Sequence, residues 1–360
     1  MSLEDFAASQ GTAGEKSGKL ALDFLYAADL NKYLQDPSLI LGEFSLSTAD
    51  WTVSEVAIKD AGGKVGLTVS LRPRLIRAAK ESWLVYKPKI TPPTEGEKLA
   101  VILSDYQAGY HNQDLHERSC DLIHRLQPDV VVVNGDLLDL PGLSRFRQRP
   151  NTHKTVQQCL DAGYSILRDL RLAAPSAEGF VLPGNHEQRL QNKLIEEIPE
   201  LFGLRTGGSS NLADPVLSVP HLLRLEELGF KWVVGAEGEW PEADLQLSKH
   251  LLVMHGWIVR KGAGNSARAT LETLRSSVIV GHTHRLALIH HSQWESGPGR
   301  RDEAPYMAIE GGTMCDIART PKTGRHADWQ NGFCAVKIRP DGTFVPVTIV
   351  YTTRRLFSPW

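Results

Sequence analysis

The run Val130-Val131-Val132-Val133-Asn134-Gly135-Asp136-Leu137-Leu138-Asp139 constrains this chain more than any other stretch. Four consecutive β-branched residues suit a strand buried on both faces, as in the middle of an α/β sheet. Gly135 permits a sharp turn that sets Asp136 at the carboxyl end of the strand, where open α/β sheets carry their chemistry. A carboxylate straight after four buried valines is costly unless something positive meets it. Asp136 is therefore expected to bridge two metal ions, with the flanking motifs supplying the other ligands.

The rest of the chain divides around this strand. Residues 1 to about 18 read as a loose tail, and Leu20–Leu34 reads as a short helix ending before Pro37. Two alternating runs, Val53–Ile58 and Val65–Leu71, flank Ala61-Gly62-Gly63 and predict a β-hairpin. Arg72, Arg74, Arg77 and Lys80 follow and read as a solvated face. Lys87–Glu97 holds three prolines and reads as a linker. The expected organisation is a small N-terminal region, residues 1–95, of unassigned role, and a larger domain, residues 96–360. In the larger domain strands and helices alternate. Strands are expected at Leu99–Leu103, Phe180–Leu182, Lys231–Val234, His250–Met254 and Val278–Val280, with further strands from Leu286 to Tyr351. Helices are expected at His116–Leu126, Thr155–Leu172 and Glu187–Leu201, and from an N-cap at Ser266 through Leu274. That order predicts layered α/β architecture.

Composition removes several function classes. Net charge is −2 over 360 residues, so no global basic field exists to bind nucleic acid, and any such contact must come from a local patch. No apolar run approaches the roughly 18 residues of a membrane span, and Met1–Asp5 lacks the basic-then-apolar order of a secretory signal. Cys120, Cys159, Cys315 and Cys334 are scattered without a CxxC pair, against a disulfide framework or a cysteine zinc site. A reducing, cytoplasmic setting without membrane partners is expected.

Five strand ends carry polar clusters: Asp105-x-Gln107, Gly135-Asp136, Gly184-Asn185-His186-Glu187, His255-Gly256 and Gly281-His282-x-His284. Carboxylate, imidazole and amide oxygen together suit Mn, Fe, Zn or Ni better than a thiolate-loving metal or an all-oxygen calcium site. In this order the set resembles the calcineurin-like metallophosphoesterase superfamily, whose pattern is D-x-H, G-D-x-x-D, G-N-H-[DE], H-G or H-x-G, and G-H-[TS]-H. Four of the five blocks match unchanged, across residues 105 to 284. The resemblance implies a four-layer α/β/β/α sandwich with two mixed sheets and a dinuclear metal centre. By position, one metal takes Asp105, Gln107, Asp136 and His284, and the other takes Asp136, Asn185, His255 and His282. Manganese is the first expectation for both ions, with Fe, Zn, Ni or Mg as alternatives.

Two ions about 3.5–4 Å apart bind phosphoryl oxygens and lower the pKa of a bridging water, so that hydroxide exists near neutrality. The resemblance gives His186 the role of protonating the leaving oxygen, and gives Asp139 that of orienting or charge-balancing His186. It implies hydrolysis of phosphomonoesters or phosphodiesters, with nucleotides or nucleic-acid ends as the leading substrate class. Gln107 departs from the pattern. Its amide oxygen is a harder, neutral donor than imidazole, which favours Mn or Mg over Fe. Asp-x-Gln also occurs in manganese-dependent ADP-ribose and CDP-alcohol diphosphatases and in phage-encoded members, so a nucleotide diphosphatase stands as the alternative. DNA-repair nucleases share the five blocks and stand beside it. Leu140-Pro141 replaces the Arg-Gly of serine/threonine phosphatases, which argues against that activity. Arg189 first, then Arg145 or Arg147, are the candidates to grip phosphate instead. The non-enzyme alternative is a protein-binding scaffold on the same fold, a role in which members have typically lost ligands or the catalytic histidine.

Other features read as ordinary. His111, His116, His124, His153, His221 and His326 belong to no motif. His290 and His291 point to opposite faces of a strand and so suit no single ion. The basic loop 260–266 before a helix reads equally as a phosphate cradle or as plain surface. Trp329-Gln330-Asn331-Gly332-Phe333 resembles a stretch of phage-type members and reads as a turn entering a strand.

Overall fold

The computed structural model describes the strands at residues 18–24, 51–61 and 64–73, residues 39 and 41, and residues 96–145, 154–208, 214–235, 240–292, 306–320, 328–352 and 355–359. The chain forms two compact units, Met1–Ile90 and Thr91–Trp360.

In the first unit, β1 (Gly18–Phe24), β2 (Trp51–Ala61) and β3 (Lys64–Pro73) make an antiparallel sheet in the order β1-β3-β2. The expected hairpin is present. Ala61 pairs with Lys64, and Gly62 and Gly63 between them lie outside the described residues. The helix expected over Leu20–Leu34 is corrected at its start. Residues 18–24 form a strand, with Leu20 opposite Val69 and Leu22 opposite Leu67. Leu20, Leu22 and Phe24 alternate, and the open edge of β3 offers that period a ladder. Residues 25–34, like the expected tail and most of the linker, lie outside the described residues.

The second unit is built on β5 (Val130–Asn134), buried along its whole length. It sits within a seven-stranded sheet of order β15-β14-β13-β4-β5-β6-β7. There β4 (Lys98–Leu103), β5, β6 (Glu178–Leu182) and β7 (Phe230–Trp232) run parallel. The antiparallel strands β13 (Gly332–Ile338), β14 (Phe344–Thr352) and β15 (Arg355–Phe357) extend it. The second sheet runs β11-β12-β10-β9-β8. In it β9 (Leu251–Met254), β10 (Ser277–Val280) and β12 (Tyr306–Gly311) are parallel, and β8 (Asp244–Ser248) and β11 (Leu286–His291) are antiparallel edges. β8 was not expected from sequence; it has a half-exposed edge pattern with only two apolar residues.

One apolar cluster joins the two sheets face to face: Ala100, Ile102, Val130, Val132 and Leu182 from one meet Leu251, Val253, Ile279 and Ile309 from the other. The alternate residues Val101, Leu103, Val131 and Val133 are also buried, on the opposite face. The crossover helices of the parallel strands, α1 (Gln113–Leu126) and α2 (Val156–Ala173), run on that side. Ala267 and Leu271 of α4 (Asn265–Leu274) pack on Met254, Val278 and Val280 outside the second sheet. These are the four layers, helix, sheet, sheet, helix, that the motif resemblance implies.

Several boundaries shift for local reasons. The expected helix Glu187–Leu201 becomes α3 (Gln188–Glu197) followed by a separate turn at Pro199–Leu201. Proline cannot continue the hydrogen-bond ladder. The N-cap of α4 is Gly264, not Ser266, and the Ser266 hydroxyl instead accepts the N–H of Arg260 at 2.9 Å.

Candidate metal centre

The turns that follow β4, β5, β6, β9 and β10 carry all the polar clusters. Five of the candidate ligands hold left-handed backbone: Asp105 (φ 57°), Gln107 (53°), Asp136 (49°), His282 (65°) and His284 (59°). Such a conformation costs a non-glycine residue about 1–3 kcal/mol and persists only where its surroundings over-determine it. Here they do. Asp105 N–H donates to Gly135 O at 3.1 Å, Gln107 N–H to Asp136 O at 2.9 Å, and Gly281 N–H to His255 O at 3.1 Å. The neighbouring glycines make room. A Cβ on Gly184 would lie 2.1 Å from Asp136 Oδ1, and one on Gly135 would lie 2.3 Å from His255 Nδ1.

Two groups able to hold a metal ion result. Asp136, His255 and His282 each offer a donor atom within 4.8 Å of the others, and so do Asp105, Asp136 and His284. Asp136 belongs to both. His284 Nε2 lies 3.1 Å from Asp105 Oδ1 and His255 Nε2 lies 3.4 Å from Asp136 Oδ1. The Gln107 amide touches Asp136 Oδ2 at 3.2 Å. Asn185 Oδ1, His255 Nε2 and His282 Nδ1 are buried without hydrogen-bond partners. Buried polar atoms left unpaired are costly, and these three are the neutral donors a cation beside Asp136 would take. The residues present therefore fit a metal. His255 is also oriented for it: Nδ1 donates to the carbonyl of Asn134 at 2.9 Å, which leaves the Nε2 lone pair for a ligand.

The two carboxylates give the site a strong demand for positive charge. Burial pushes His255 down, but Asp136 and Asp105 outweigh it and raise its pKa to about 9. His284 behaves likewise, and Asp105 carries it to about 10. His282 falls to about 4, through burial and the repulsion of His255. Burial would raise Asp136, yet His186, His255 and His282 hold it well below the usual carboxylate range. A divalent ion competes directly with the protons on His255 and His284.

His186 stands beside the shared carboxylate. Its backbone N–H donates to Asp136 Oδ1 at 3.0 Å, and its Nε2 is 3.7 Å from Asp136 Oδ2. Its Nδ1 is 2.9 Å from Asp139 Oδ1, an ion-pair distance although the atoms are not aligned as a hydrogen bond. Arg189 is turned toward Asp139, donating to its backbone carbonyl with Nη1 3.7 Å from Oδ1. Arg145 lies exposed beyond the short turn Pro141–Leu143. Arg147 lies outside the described residues.

Sequence reasoning passed over several neighbours. Glu187 is buried and its carboxylate accepts three backbone N–H groups, from Asp136 (3.0 Å), Gly184 (2.8 Å) and Leu138 (2.7 Å). Burial and the charge of Asp136 raise it to about 7 against the pull of those donors. The fourth letter of the Gly-Asn-His-Glu block was its only signal. Trp240 packs against His255 and His282, with ring centroids 5.9 and 5.5 Å apart. The stretch from Trp329 does lead into β13, but the indole also lies against His284, with ring centroids 4.2 Å apart. Thr313 Oγ1 donates to the Asp105 carbonyl at 2.8 Å, and Cys315 Sγ is 3.9 Å from His284 Nδ1. His290 and His291 are on the edge strand β11.

No helix among the described residues is long and apolar enough to cross a membrane. No protein-family model matches the chain. Among solved structures it is similar to Vacuolar Protein Sorting 29 from Cryptosporidium parvum, with a TM-score of 0.36 and 15% identity over 73% of this chain and 95% of that one. It is similar also to Vps29 from Chaetomium thermophilum, with a TM-score of 0.34 and 10% identity over 71% and 86%. In sequence it is similar to the Gene 54 protein of Mycobacterium phage D29, 26% identical over 274 residues, which are 72% of this chain and 96% of that protein. The Gene 54 protein of Mycobacterium phage L5 is 25% identical over 283 residues, with the same coverage. The phage likeness thus runs well beyond the stretch from Asp105 to His284.

Proposed function

We propose that this protein is a metal-dependent phosphoesterase with two divalent ions, manganese first among the candidates. The observation that supports it best is the set of three buried, unpartnered donors, Asn185 Oδ1, His255 Nε2 and His282 Nδ1, gathered from three separate turns near the Asp136 carboxylate. Bound there, the ions would neutralise phosphoryl oxygens and lower the pKa of an attacking water.

The chain's own residues do the rest. Asp136 bridges the two positions. Asp105, Gln107 and His284 complete one, and Asn185, His255 and His282 the other. For Gln107 to serve, its oxygen faces the ion, a half-turn of an amide whose two ends differ only in their hydrogen-bond pattern. His186 reaches the leaving oxygen with a proton. Asp139 stands against the imidazole at Nδ1 and orients it, and Arg189 holds Asp139. In this reading Arg189 acts through Asp139, which leaves phosphate contact to other cations such as Arg145.

The test is add-back of Mn, Mg, Zn, Ni or Fe to the metal-stripped protein. Hydrolysis of p-nitrophenyl phosphate, bis-p-nitrophenyl phosphate and ADP-ribose is followed beside His186→Ala. Metal-dependent turnover that His186→Ala removes is expected. Two bound ions without turnover on any phosphate ester would overturn the reading in favour of a binding role.

A further inference from the structure

The loop after β9 starts at candidate ligand His255 and is tied back beside candidate ligand His284. Arg285, next in the chain to His284, donates through Nη1 to Arg260 O at 2.7 Å and Gly262 O at 3.3 Å. The loop therefore lies along the rim of the metal centre and is held in shape. It presents Trp257, 39% exposed, and Val259, 57% exposed, to water. The exposed cations Arg260 and Lys261 follow. Arg268, further on, pairs with Glu272 at 2.9 Å, so Arg260 and Lys261 are the basic residues of the loop itself. From His255 to Leu271 the chain carries no acidic residue. Two more indoles, Trp240 and Trp329, pack on the histidines of the two metal positions and are only half-buried.

A partly exposed indole on a pinned loop offers a flat, pre-ordered apolar face to a partner. Packing against histidines accounts for Trp240 and Trp329 but not for Trp257. Flat aromatic surfaces interleaved with cations are what a single-stranded nucleic acid needs, since every base has a π-face and every linkage a charge. In a chain of net charge −2, this basic stretch is the local patch that overall composition does not supply.

We propose that this rim binds single-stranded nucleic acid. Bases stack on Trp257 and, closer to the ions, against Trp240 and Trp329, while Arg260 and Lys261 draw the backbone. For the fate of the strand this rests on the phosphoesterase reading; for its binding it does not.

The experiment uses the full chain in manganese and follows the anisotropy of a fluorescein-labelled 12-nucleotide oligo-dT. An abasic strand of equal length and charge is measured beside it. Trp257→Ala is expected to weaken oligo-dT roughly tenfold and leave the abasic strand unchanged. Arg260→Ala with Lys261→Ala is expected to weaken both and flatten the salt dependence. Both changes are at exposed positions, and circular dichroism checks that the fold persists. Equal affinity for oligo-dT and the abasic strand would overturn the proposal, as would full displacement of oligo-dT by an equally charged phosphopeptide. If bis-p-nitrophenyl phosphate is hydrolysed while bases make no difference, the rim proposal falls and the phosphoesterase stands. If oligo-dT binds through its bases and no ester is hydrolysed with any metal, the rim proposal stands and the phosphoesterase falls.

Discussion

Glu187 Oε2 accepts the backbone N–H of Asp136 at 3.0 Å. The same oxygen takes Gly184 N–H and its twin takes Leu138 N–H, so one buried carboxylate ties the turn after β5 to the turn after β6. Glu187→Ala would leave three buried donors unpaired, at about 1–3 kcal/mol each. A loss of at least about 2 kcal/mol in urea unfolding is expected, together with weaker manganese binding by calorimetry. An unchanged unfolding midpoint would show that the three bonds are replaced by water.

Gly184→Ala tests the same junction sterically. Its Cβ would fall 2.1 Å from Asp136 Oδ1 and 2.4 Å from Asp136 N, atoms with nowhere to go. Metal binding is expected to be lost, whereas Gly207→Ala, with nothing within 4 Å of the added carbon, should bind as the parent does. Equal metal affinity in the two variants would mean that the Asp136 turn is far softer than its hydrogen bonds suggest.

His186 and Asp139 should separate chemistry from binding. His186→Ala is expected to keep both ions by calorimetry and lose about 10²–10⁴ in kcat. Asp139→Asn removes the charge beside Nδ1 at 2.9 Å and should lower kcat less, again with both ions retained by calorimetry. Loss of metal from His186→Ala would instead make the imidazole a ligand.

Away from the centre, His116 is buried with Nε2 3.6 Å from Asp169 Oδ2. Burial lowers its pKa, but Cys120 and Asp169 outweigh this and bring it to about 10. The folded value is raised above the ordinary 6.5. The stability it contributes is therefore complete below about pH 6.5 and is lost as pH rises toward about 10. Urea midpoints over that window should fall for the parent and stay flatter for Asp169→Asn. Parallel curves would show that the pair holds no folded-state proton.

How much of this was legible in residue order follows from what each feature depends on. The apolar run 130–133 could be placed at the middle of a sheet because its burial pattern is written in consecutive residues. The gathering of Asp105, Gln107 and Asp136 at one sheet, and of His255, His282 and His284 at the other, was legible for a related reason: each stands just after an apolar strand, and parallel strands bring their ends together within a sheet. Gly135 and Gly184 carried their own message, since only a missing Cβ tolerates those approaches.

Only tertiary structure decided the rest. Gly18–Phe24 has a composition that suits either helix or strand, and the free edge of β3 settles it. Arg189 was within reach of a phosphate or of Asp139, and the path of α3 turns it to Asp139. Glu187 looked like the end of a motif until three N–H groups from two turns met it. Trp329, Cys315 and Thr313 reach His284 and Asp105 only because β12 and β13 come from opposite sheets to the same end of the sandwich. Periodicity and turn chemistry are local, so sequence alone determines them. Contacts between residues tens or hundreds of positions apart exist only once the sheets have closed on each other.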